Sequence, residues 1–417
     1  MIGPDPGPAS VTLAEVRVAA ELLDGVVRRT PVLGSRVLSD AAGVPVLLKA
    51  ENLQRAGSFK VRGAYVRMAR LSEDEKSRGV VAASAGNHAQ GVALAARLLD
   101  LRAVVYMPVD AALPKVAATR DYGAEVRLVG ASVDEALVAA RTESERTGAV
   151  LIHPFDHPDV VAGQGTLALE LLDQVPDVRT VLVPAGGGGL VAGIATVLAE
   201  LAPQVRVVAV QTQRVPAFAE SLRAGHPVSV PVKPTMADGI AVGRPGDVPF
   251  EVLQRLGVEV LEVSEEDLSH ALLLVAERSK LVVEPAGAAG VAALLAAAGG
   301  AAPAGAAPFE GPVVAVLSGG NIDPLVLLRV IRHGMVAAGR YLKMRVMLDD
   351  RPGALAHLLG ELAGLGGNIM HIDHTRTDVG LGLNDVWVPM QIETKGPEHC
   401  DDIVSRLREV GYRVVRD

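Results

Sequence analysis

A lysine beside an aromatic ring is the feature of this sequence best suited to covalent chemistry. Lys60 follows Gly57 and Ser58, has Phe59 next to it, and opens a stretch with the spacing of an amphipathic helix. An apolar neighbour shields an amine from water, and a desolvated lysine loses its proton more easily and becomes a nucleophile that forms Schiff bases. By itself the pattern also fits a solvated lysine at a helix start, so other motifs must decide between the two interpretations.

Three glycine-bearing turns follow runs of small and branched apolar residues. They occupy residues 84–91, 186–190 and 318–321. Apolar runs that stop at glycines and continue as helices are typical of parallel strands at their carboxyl edge, where ligands bind. The sequence therefore predicts that these turns gather around one ligand site.

Four consecutive glycines in the second turn favour a phosphate site. Glycine lets the backbone approach a ligand closely, and the helix that starts near Leu190 adds the positive end of its dipole. The residues concerned are Gly186, Gly187, Gly188 and Gly189. The alternative is a turn that needs glycine only for packing, for which four in a row are more than necessary.

A dinucleotide is the competing ligand for the same turn. Gly187, Gly189 and Ala192 fit the spacing G-x-G-x-x-A. That fingerprint also requires an acidic residue at the end of the next strand to hold the ribose. The matching strand, residues 205–210, is followed by Gln211, so NAD is not expected.

Composition and charge exclude several other classes of function. The chain has 417 residues, enough for two or three domains, and its net charge of −8 argues against a nucleic-acid partner. Cys400 is the only cysteine, which excludes disulfide frameworks and cysteine clusters within one chain. Residues 286–298 are apolar but too short for a membrane span, and read as a buried helix. No secretory signal is visible, so we expect a cytoplasmic protein without a membrane partner.

The spacing of strands and helices predicts an α/β fold. Val-rich runs alternate with helical patterns over the first three-quarters of the chain, as in a doubly wound parallel sheet. Residues 299–312, rich in glycine, alanine and proline, read as a loop before the last strand of this part. We expect a catalytic domain at residues 1–335 and a second domain at residues 341–417, with the boundary near residues 332–340.

The second domain is predicted to have the element order βαββαβ, which is ferredoxin-like. Glycine-containing turns separate its first strand from a helix and that helix from the next strand. The predicted strands are residues 341–348, 369–377, 384–393 and 412–415, and the predicted helices are residues 354–365 and 397–410.

The lysine segment and the three turns together resemble the fold-type II pyridoxal-phosphate (PLP) enzymes, and among them the threonine and serine dehydratases. The resemblance covers residues 30–334 and includes residues 29–33, 237–240 and 283–288. It implies a tryptophan synthase β-like fold with doubly wound parallel sheets in two subdomains. It also implies that Lys60 binds PLP as an internal Schiff base and later removes the α-proton of the substrate.

The same resemblance implies roles for the residues around the cofactor. Phe59 packs near the ring, Asn87 donates a hydrogen bond to the phenolic oxygen of PLP, and Ser318 faces the pyridine nitrogen. A neutral hydroxyl there makes the ring a weaker electron sink, which favours loss of a β-substituent over transamination. The alternative for Ser318 is a helix N-cap. Gly239 and Glu284 line the site, and the four-glycine turn holds the phosphate.

A further group of residues is expected to bind the substrate. Ser84, Gly86 and His88, with their backbone N–H groups, hold the carboxylate of the amino acid, and Ala85 and Asn87 complete this turn. The alternative for His88 is a buried histidine with a structural role. Racemases related to this family have a second catalytic serine at the position of Ala85, so little racemisation is expected.

β-Elimination is the reaction that the resemblance implies. Threonine loses its α-proton to Lys60 and its β-hydroxyl as water, and the released aminocrotonate hydrolyses to 2-oxobutanoate and ammonia; serine gives pyruvate. Val61 and His88 fit the dehydratases better than the sulfhydrylases or threonine synthases. The alternatives are a serine-preferring dehydratase, a threonine synthase-like lyase and, from another class, a catalytically inactive amino-acid sensor.

Gln211 also bears on metal binding. Relatives that bind a divalent ion have a glutamate where Gln211 stands. An amide suits Mg²⁺ far less well than a carboxylate does. No metal site is therefore assigned, and a monovalent cation stays open.

The C-terminal module resembles an ACT domain through its two glycine turns. The resemblance implies a regulatory site in which Asp350 and Asn368, on neighbouring turns, hold the ammonium and side chain of a free amino acid. The helix start at Ala354 and Leu355 takes its carboxylate. Isoleucine or valine is the expected feedback effector, and the alternative is an ACT fold that only mediates assembly. Because such modules pair, a homodimer or homotetramer is expected.

Overall fold

Val-rich segments form buried strands in this protein, because a sheet covered on both faces carries apolar side chains on both. The computed structural model describes residues 11–300, 308–337, 339–373 and 385–416. The chain divides into two compact units, Met1–Leu327 and Leu328–Asp417. The division falls inside a helix that ends at Ala337, so this helix continues into the stretch expected to be the domain boundary.

The helices and strands follow the alternation predicted from the sequence. The helices are α1 Leu13–Leu22, α2 Arg36–Ala42, α3 Lys60–Ala69, α4 Glu73–Arg78, α5 Asn87–Leu98, α6 Leu113–Asp121, α7 Val133–Thr147, α8 Pro158–Gln174, α9 Gly189–Leu201, α10 Ala217–Ala224, α11 Asp247–Leu256, α12 Glu265–Leu274, α13 Ala289–Ala298, α14 Pro324–Ala337, α15 Ala354–Gly364 and α16 Pro397–Glu409. The strands are β1 Val32–Gly34, β2 Val46–Lys49, β3 Val80–Ala83, β4 Ala103–Met107, β5 Glu125–Leu128, β6 Val150–Leu151, β7 Thr180–Pro184, β8 Arg206–Thr212, β9 Glu259–Val263, β10 Val313–Val316, β11 Tyr341–Asp349, β12 Asn368–Ile372, β13 Asp385–Glu393 and β14 Arg413–Arg416.

Two sheets form the framework of the first unit. The larger has the strand order β1-β2-β10-β7-β8-β9, in which β1 is antiparallel to β2 and the other neighbours pair in parallel. The smaller has the order β5-β4-β3-β6 and is parallel throughout. The prediction of parallel sheets in two subdomains is confirmed, and the turns after β3, β7 and β10 carry the candidate site residues.

The alanine-rich segment that could be mistaken for a membrane span is the helix α13. Its residues from Ala289 to Leu294 are buried, as the sequence predicts for a helix packed on a sheet. Within the described ranges, no helix combines the length and the apolar character needed to cross a bilayer. Of the loop predicted before β10, residues 301–307 lie outside the described ranges.

Glycines bring three helices of the first unit into backbone contact. A Cβ on Gly163 of α8 would lie 2.7 Å from Cα of Gly63 in α3, and a Cβ on Gly193 of α9 would lie 2.5 Å from the backbone nitrogen of Gly165 in α8. Interiors are close-packed, so larger residues at these positions would push the helices apart. The helix α3, which begins at Lys60, is therefore held directly against α8, and α8 against α9.

A group of four charges, called the buried quartet although one member is 17 % exposed, connects α3 to β2 and α8. It consists of Arg62, Glu51, Glu170 and Lys49. Arg62 donates to both carboxylate oxygens of Glu51 at 2.9 Å and to Glu170 Oε1 at 2.7 Å, and Lys49 Nζ donates to Glu170 Oε2 at 2.7 Å. Burial by itself would raise the pKa of Glu51, but Arg62, together with smaller effects of Thr30 and Lys49, outweighs it and lowers the pKa. The two positive and two negative charges balance each other.

The second unit has the predicted βαββαβ order. Its strands form an antiparallel sheet in the order β12-β13-β11-β14. Alternate side chains of β11 and β13, such as Met344 and Val388, are buried beneath α15 and α16, which contribute Leu358 and Ile403 to the same core. Cys400 lies in this core too. Of the strand predicted at residues 369–377, residues 374–377 lie outside the described ranges.

The register of this sheet corrects one expectation about the regulatory residues. β11 pairs with β13 so that its first residue lies opposite Glu393 and its last opposite Asp385. Asn368 also lies opposite Glu393, to which its Nδ2 donates at 2.9 Å. Asp350 follows the far end of the nine-residue strand β11, roughly 26 Å away at about 3.3 Å per residue. Asp350 and Asn368 are therefore not on neighbouring turns of one chain.

Candidate active site

Lys60 is the first residue of α3, and its side chain is partly buried. Its Nζ donates to the carbonyl oxygen of Pro154 at 2.9 Å and lies 5.1 Å from the centroid of the Phe59 ring. Desolvation lowers the pKa of Lys60 from 10.5 to about 8, against a smaller opposing effect of the Glu284 carboxylate. The amine therefore loses its proton more readily than an exposed lysine does, which a nucleophile requires.

The four-glycine turn leads from β7 into α9. Gly188 has a φ of +95°, which residues with a Cβ rarely adopt. A Cβ on Gly187 would lie 2.2 Å from Cγ of Phe155, so packing also demands glycine here. The N–H groups of Gly189 and Leu190 have no acceptor within the helix and lie at the positive end of its dipole. The turn is thus both tightly packed and able to bind a phosphate.

Glu284 is buried and joined to Asn87 at the start of α5. Asn87 Nδ2 donates to Glu284 Oε1 at 2.5 Å, and the Glu284 N–H donates to the carbonyl oxygen of Gly319 at 3.0 Å. Burial, reinforced by the negative charge of Asp238, raises the pKa of Glu284 to about 7. Gly239 lies beside this carboxyl, since a Cβ there would be 3.7 Å from Glu284 Oε1. The structure therefore brings Asn87, Gly239 and Glu284 together.

Ser318 lies two residues after the end of β10 and is 4 % exposed. Its carbonyl oxygen accepts a hydrogen bond from the N–H of Phe59 at 3.2 Å, which ties this turn to the lysine segment. The next helix, α14, begins six residues later, and Asp323 Oδ1 accepts from the N–H of Leu325 there at 2.7 Å. Asp323 is therefore the N-cap, and the N-cap alternative for Ser318 is wrong.

The turn expected to bind the substrate carboxylate is partly occupied by its own hydrogen bonds. The Ser84 N–H donates to a carbonyl of β4 at 3.1 Å, and the Gly86 N–H donates to Ser84 Oγ at 3.1 Å. Both N–H groups thus have acceptors within the chain, and their role in binding the substrate stays a prediction. Ala85 lies between them. The N–H groups of Asn87 and His88 open α5 without an acceptor inside the helix, so they are the ones that suit a carboxylate.

The ring of His88 points into the protein core. It is 4 % exposed, and its Nε2 donates to the carbonyl oxygen of Ile152 at 2.8 Å. Burial, with a smaller effect of Lys60, lowers the pKa of His88 to about 3. The ring is therefore neutral, and the structural role given as the alternative describes it. Only the backbone of His88 is suited to contact a substrate.

Two features near the candidate site residues were not anticipated from the sequence. The first is the segment after β6, in which Pro154 accepts the hydrogen bond of Lys60 and Phe155 covers Gly187. The second is an ion pair of 2.8 Å between Lys115 Nζ and Asp238 Oδ2. No local pattern marks these residues, because their proximity depends on how the two sheets are arranged.

Gln211 has a structural role within β8. It is buried, its Nε2 donates to the carbonyl oxygen of Ala185 at 3.4 Å, and its Oε1 accepts from the N–H of Phe218 at 3.0 Å. It therefore links the end of β7 to α10. In the part of the chain that the structure describes, no three His, Cys, Asp or Glu side chains are grouped as a metal ion would require.

The residues around Lys60 fit a cofactor that has an aldehyde, a phosphate and a pyridine ring. An amine of lowered pKa suits the aldehyde, the start of α9 suits the phosphate, and the buried Ser318 suits a neutral ring nitrogen. Fold and site together define an α/β enzyme that depends on pyridoxal phosphate. A family model described as pyridoxal-phosphate dependent enzyme matches residues 23–319, and the chain belongs to this family.

Individual relatives match over nearly the whole chain. An L-threonine ammonia-lyase of Thermotoga maritima is 45 % identical over 97 % of this chain and 99 % of its own length. An L-threonine ammonia-lyase of Geobacter sulfurreducens is 47 % identical over 96 % of this chain and 98 % of its own. Among solved structures, the processed form of threonine deaminase isoform 2 from Solanum lycopersicum is 35 % identical, with a TM-score of 0.72, over 79 % of this chain and 91 % of that one.

The lowered pKa of Lys60 predicts how cofactor capture depends on pH. Only the unprotonated amine attacks an aldehyde, so capture of PLP by the stripped protein should accelerate as pH rises and level off above a midpoint of about 8. The measurement is the rate at which the visible absorbance of bound PLP appears between about pH 6 and 10. A midpoint at the ordinary lysine value of 10.5 would show that the amine is not desolvated.

Proposed function

We propose that this chain is a threonine ammonia-lyase, which converts L-threonine to 2-oxobutanoate and ammonia and also converts L-serine to pyruvate. The observation that carries the proposal is the amine of Lys60, which has a lowered pKa and donates to Pro154, the residue before the Phe155 that packs against the glycine turn of α9. The names of the relatives that match over nearly their full length support the choice of threonine.

Proton transfer at the substrate Cα is assigned to Lys60. Pyridoxal phosphate, when bound, supplies an electron sink that makes this proton acidic. Lys60 Nζ would hold the cofactor and, once free, take the proton as a general base. A lowered pKa suits the second task, because a base near neutral pH has to be unprotonated to act. The Phe59 ring, 5.1 Å from Nζ, keeps one side of the amine away from water.

The polar atoms of the cofactor are assigned to residues at the ends of three strands. Asn87 would donate to the phenolic oxygen, Ser318 would face the pyridine nitrogen, and the first N–H groups of α9 would bind the phosphate. A hydroxyl does not stabilise a positive ring nitrogen as a carboxylate would. This favours rapid loss of the β-hydroxyl over formation of a long-lived carbanion, and so favours ammonia-lyase chemistry over transamination.

The proposal is tested by loading the protein with PLP and adding threonine. We expect visible absorbance from bound PLP and release of 2-oxobutanoate, and a higher kcat/KM for threonine than for serine. One methyl group contributes about 1–3 kcal/mol of discrimination. A higher kcat/KM for serine would make the chain a serine-preferring dehydratase, and turnover of phosphohomoserine alone would make it threonine synthase-like. Bound PLP without turnover of either amino acid would favour the inactive sensor.

The second unit is proposed to be an ACT domain that binds isoleucine or valine as a feedback signal. Its βαββαβ order and the start of α15 at Ala354 and Leu355, next to Asp350, support this assignment. Asn368 stays a proposed ligand contact, although it is far from Asp350 within one chain. Such modules pair, and we propose a homodimer or homotetramer. We expect calorimetry on the intact protein to detect binding of isoleucine or valine, and absence of heat with both would leave assembly as the role of this domain.

A further inference from the structure

Asn321 ends the turn after β10 and lies in a chain of hydrogen bonds that reaches the active site. Asn321 Nδ2 donates to the carbonyl oxygen of Ala56 at 2.7 Å and to Asn87 Oδ1 at 2.8 Å. Asn87 Nδ2 in turn donates to Glu284 Oε1 at 2.5 Å. The chain thus runs from a backbone carbonyl in the lysine segment, through two side-chain amides, to the buried carboxyl of Glu284.

The Ala56 carbonyl fixes which group donates and which accepts in each of these hydrogen bonds. A backbone carbonyl can only accept a hydrogen bond, so Asn321 has to present its NH₂ group to Ala56. Because the same NH₂ group faces Asn87, Asn87 has to present its oxygen to Asn321. Its own NH₂ group is thereby turned toward Glu284, and one of its two N–H donors remains for another acceptor. The hydrogen-bond network therefore assigns the orientation of both amides.

The backbone around Asn321 leaves space for the side chains that form these hydrogen bonds. Ala56 has a φ of +57°, a left-handed conformation that is uncommon for a residue with a Cβ. Gly57 follows with a φ of +69°, and a Cβ there would lie 2.3 Å from Asn321 Oδ1. A Cβ on Gly319 would lie 2.3 Å from Glu284 Oε1 and 3.1 Å from Asn87 Nδ2. A strained turn held in place by its surroundings is typical of functional sites.

We infer that Asn321 is a positioning residue that holds the Asn87 amide with a donor directed at the phenolic oxygen of the cofactor. The inference rests on the proposed function, in which Asn87 contacts that oxygen. Without the NH₂ group of Asn321, the Asn87 amide is free to turn by 180° and present its oxygen instead. The Asn87 oxygen and the phenolic oxygen, which are both acceptors, would then face each other. The negatively charged phenolic oxygen would lose a hydrogen bond.

The test replaces Asn321 by aspartate, which has nearly the same shape but no NH₂ group. For N321D we expect a shifted absorbance maximum of bound PLP, about tenfold faster loss of PLP and about tenfold lower kcat, as for one lost hydrogen bond to a charged group. The matched control is N52D, because Asn52 Nδ2 also donates to a backbone carbonyl, that of Val282, at 3.0 Å, and Asn52 is 9 % exposed. N52D should lower the melting temperature but leave the PLP spectrum and PLP loss unchanged.

The outcomes separate a positioning role from a structural one. The inference is overturned if N321D has the spectrum and PLP retention of the parent, or if N52D changes both equally. If N321D does not fold, N321S is measured in the same way, since serine is too short to reach both acceptors. The PLP spectrum and PLP retention do not depend on the substrate, so failure of the parent to deaminate threonine would contradict the proposed function and not this inference.

Discussion

Lys60→Ala is expected to lower the rate of threonine deamination by about 10³-fold or more. In the proposed function the Lys60 amine both holds the cofactor and takes the Cα proton, and alanine offers neither group. The Pro154 carbonyl, 2.9 Å from Nζ in the parent, would also lose its donor. The measurement is release of 2-oxobutanoate by the PLP-saturated variant, together with the protein mass after borohydride reduction. The parent should carry one pyridoxyl group on the peptide of Lys60, and the variant none.

The matched control is Lys233→Ala. Lys233 is an exposed lysine of the same unit, so its removal should leave the rate and the pyridoxyl label unchanged. Lys60→Arg keeps the positive charge but lacks a nucleophilic amine, and it should be as inactive as the alanine variant. A label on a different lysine, or activity of Lys60→Ala within about tenfold of the parent, would contradict the assignment of Lys60.

Arg62→Met is expected to destabilise the protein by about 3–5 kcal/mol. The Arg62 side chain has no exposed surface and donates to Glu51 and to Glu170, so its loss leaves two carboxylates of the buried quartet with Lys49 alone. A buried charge without a partner costs far more than an exposed one. Guanidinium unfolding of the PLP-loaded protein, followed by circular dichroism, measures the shift of the midpoint.

Two further variants show whether charge imbalance causes the loss. Arg36→Met removes an arginine whose side chain is 84 % exposed and lies 3.9 Å from Asp40, and it should change stability by no more than about 0.5 kcal/mol. The double variant Arg62→Met with Glu51→Gln leaves one positive and one negative charge, Lys49 and Glu170, in contact. It should therefore be more stable than Arg62→Met alone. Equal or lower stability of the double variant would show that packing, rather than unpaired charge, dominates.

Local patterns predicted the elements that carry the site. Val-rich runs and the glycines after them indicated the strands β3, β7 and β10, because buried parallel strands have to be apolar and their turns have to be tight. Lys60 opens α3 as expected, and the segment around Gly188 opens α9. These strands, turns and helix starts depend on residues that are close together in the sequence, and they could be predicted from local patterns for that reason.

Contacts between distant segments could not be read in the same way. The N-cap alternative for Ser318 failed because the chain continues to Asp323 before α14 begins. The placement of Asp350 and Asn368 is different, because it follows from the predicted βαββαβ order: β11 and β12 are both antiparallel to β13, so the end of one and the start of the other lie at opposite ends of the sheet. The buried quartet joins charges that look like surface residues when each is taken by itself.

The glycine contacts between α3, α8 and α9 restrict the movement of these three helices relative to one another. Where Gly63 meets Gly163 and Gly165 meets Gly193, the helix backbones touch without a side chain between them, so little room is left at these points for one helix to shift against another. Lys60 at the start of α3 and the four-glycine turn at the start of α9 are consequently expected to keep a constant distance from each other. If these two segments hold the cofactor as proposed, we expect any movement that admits the amino acid or releases the oxo acid to occur in other segments.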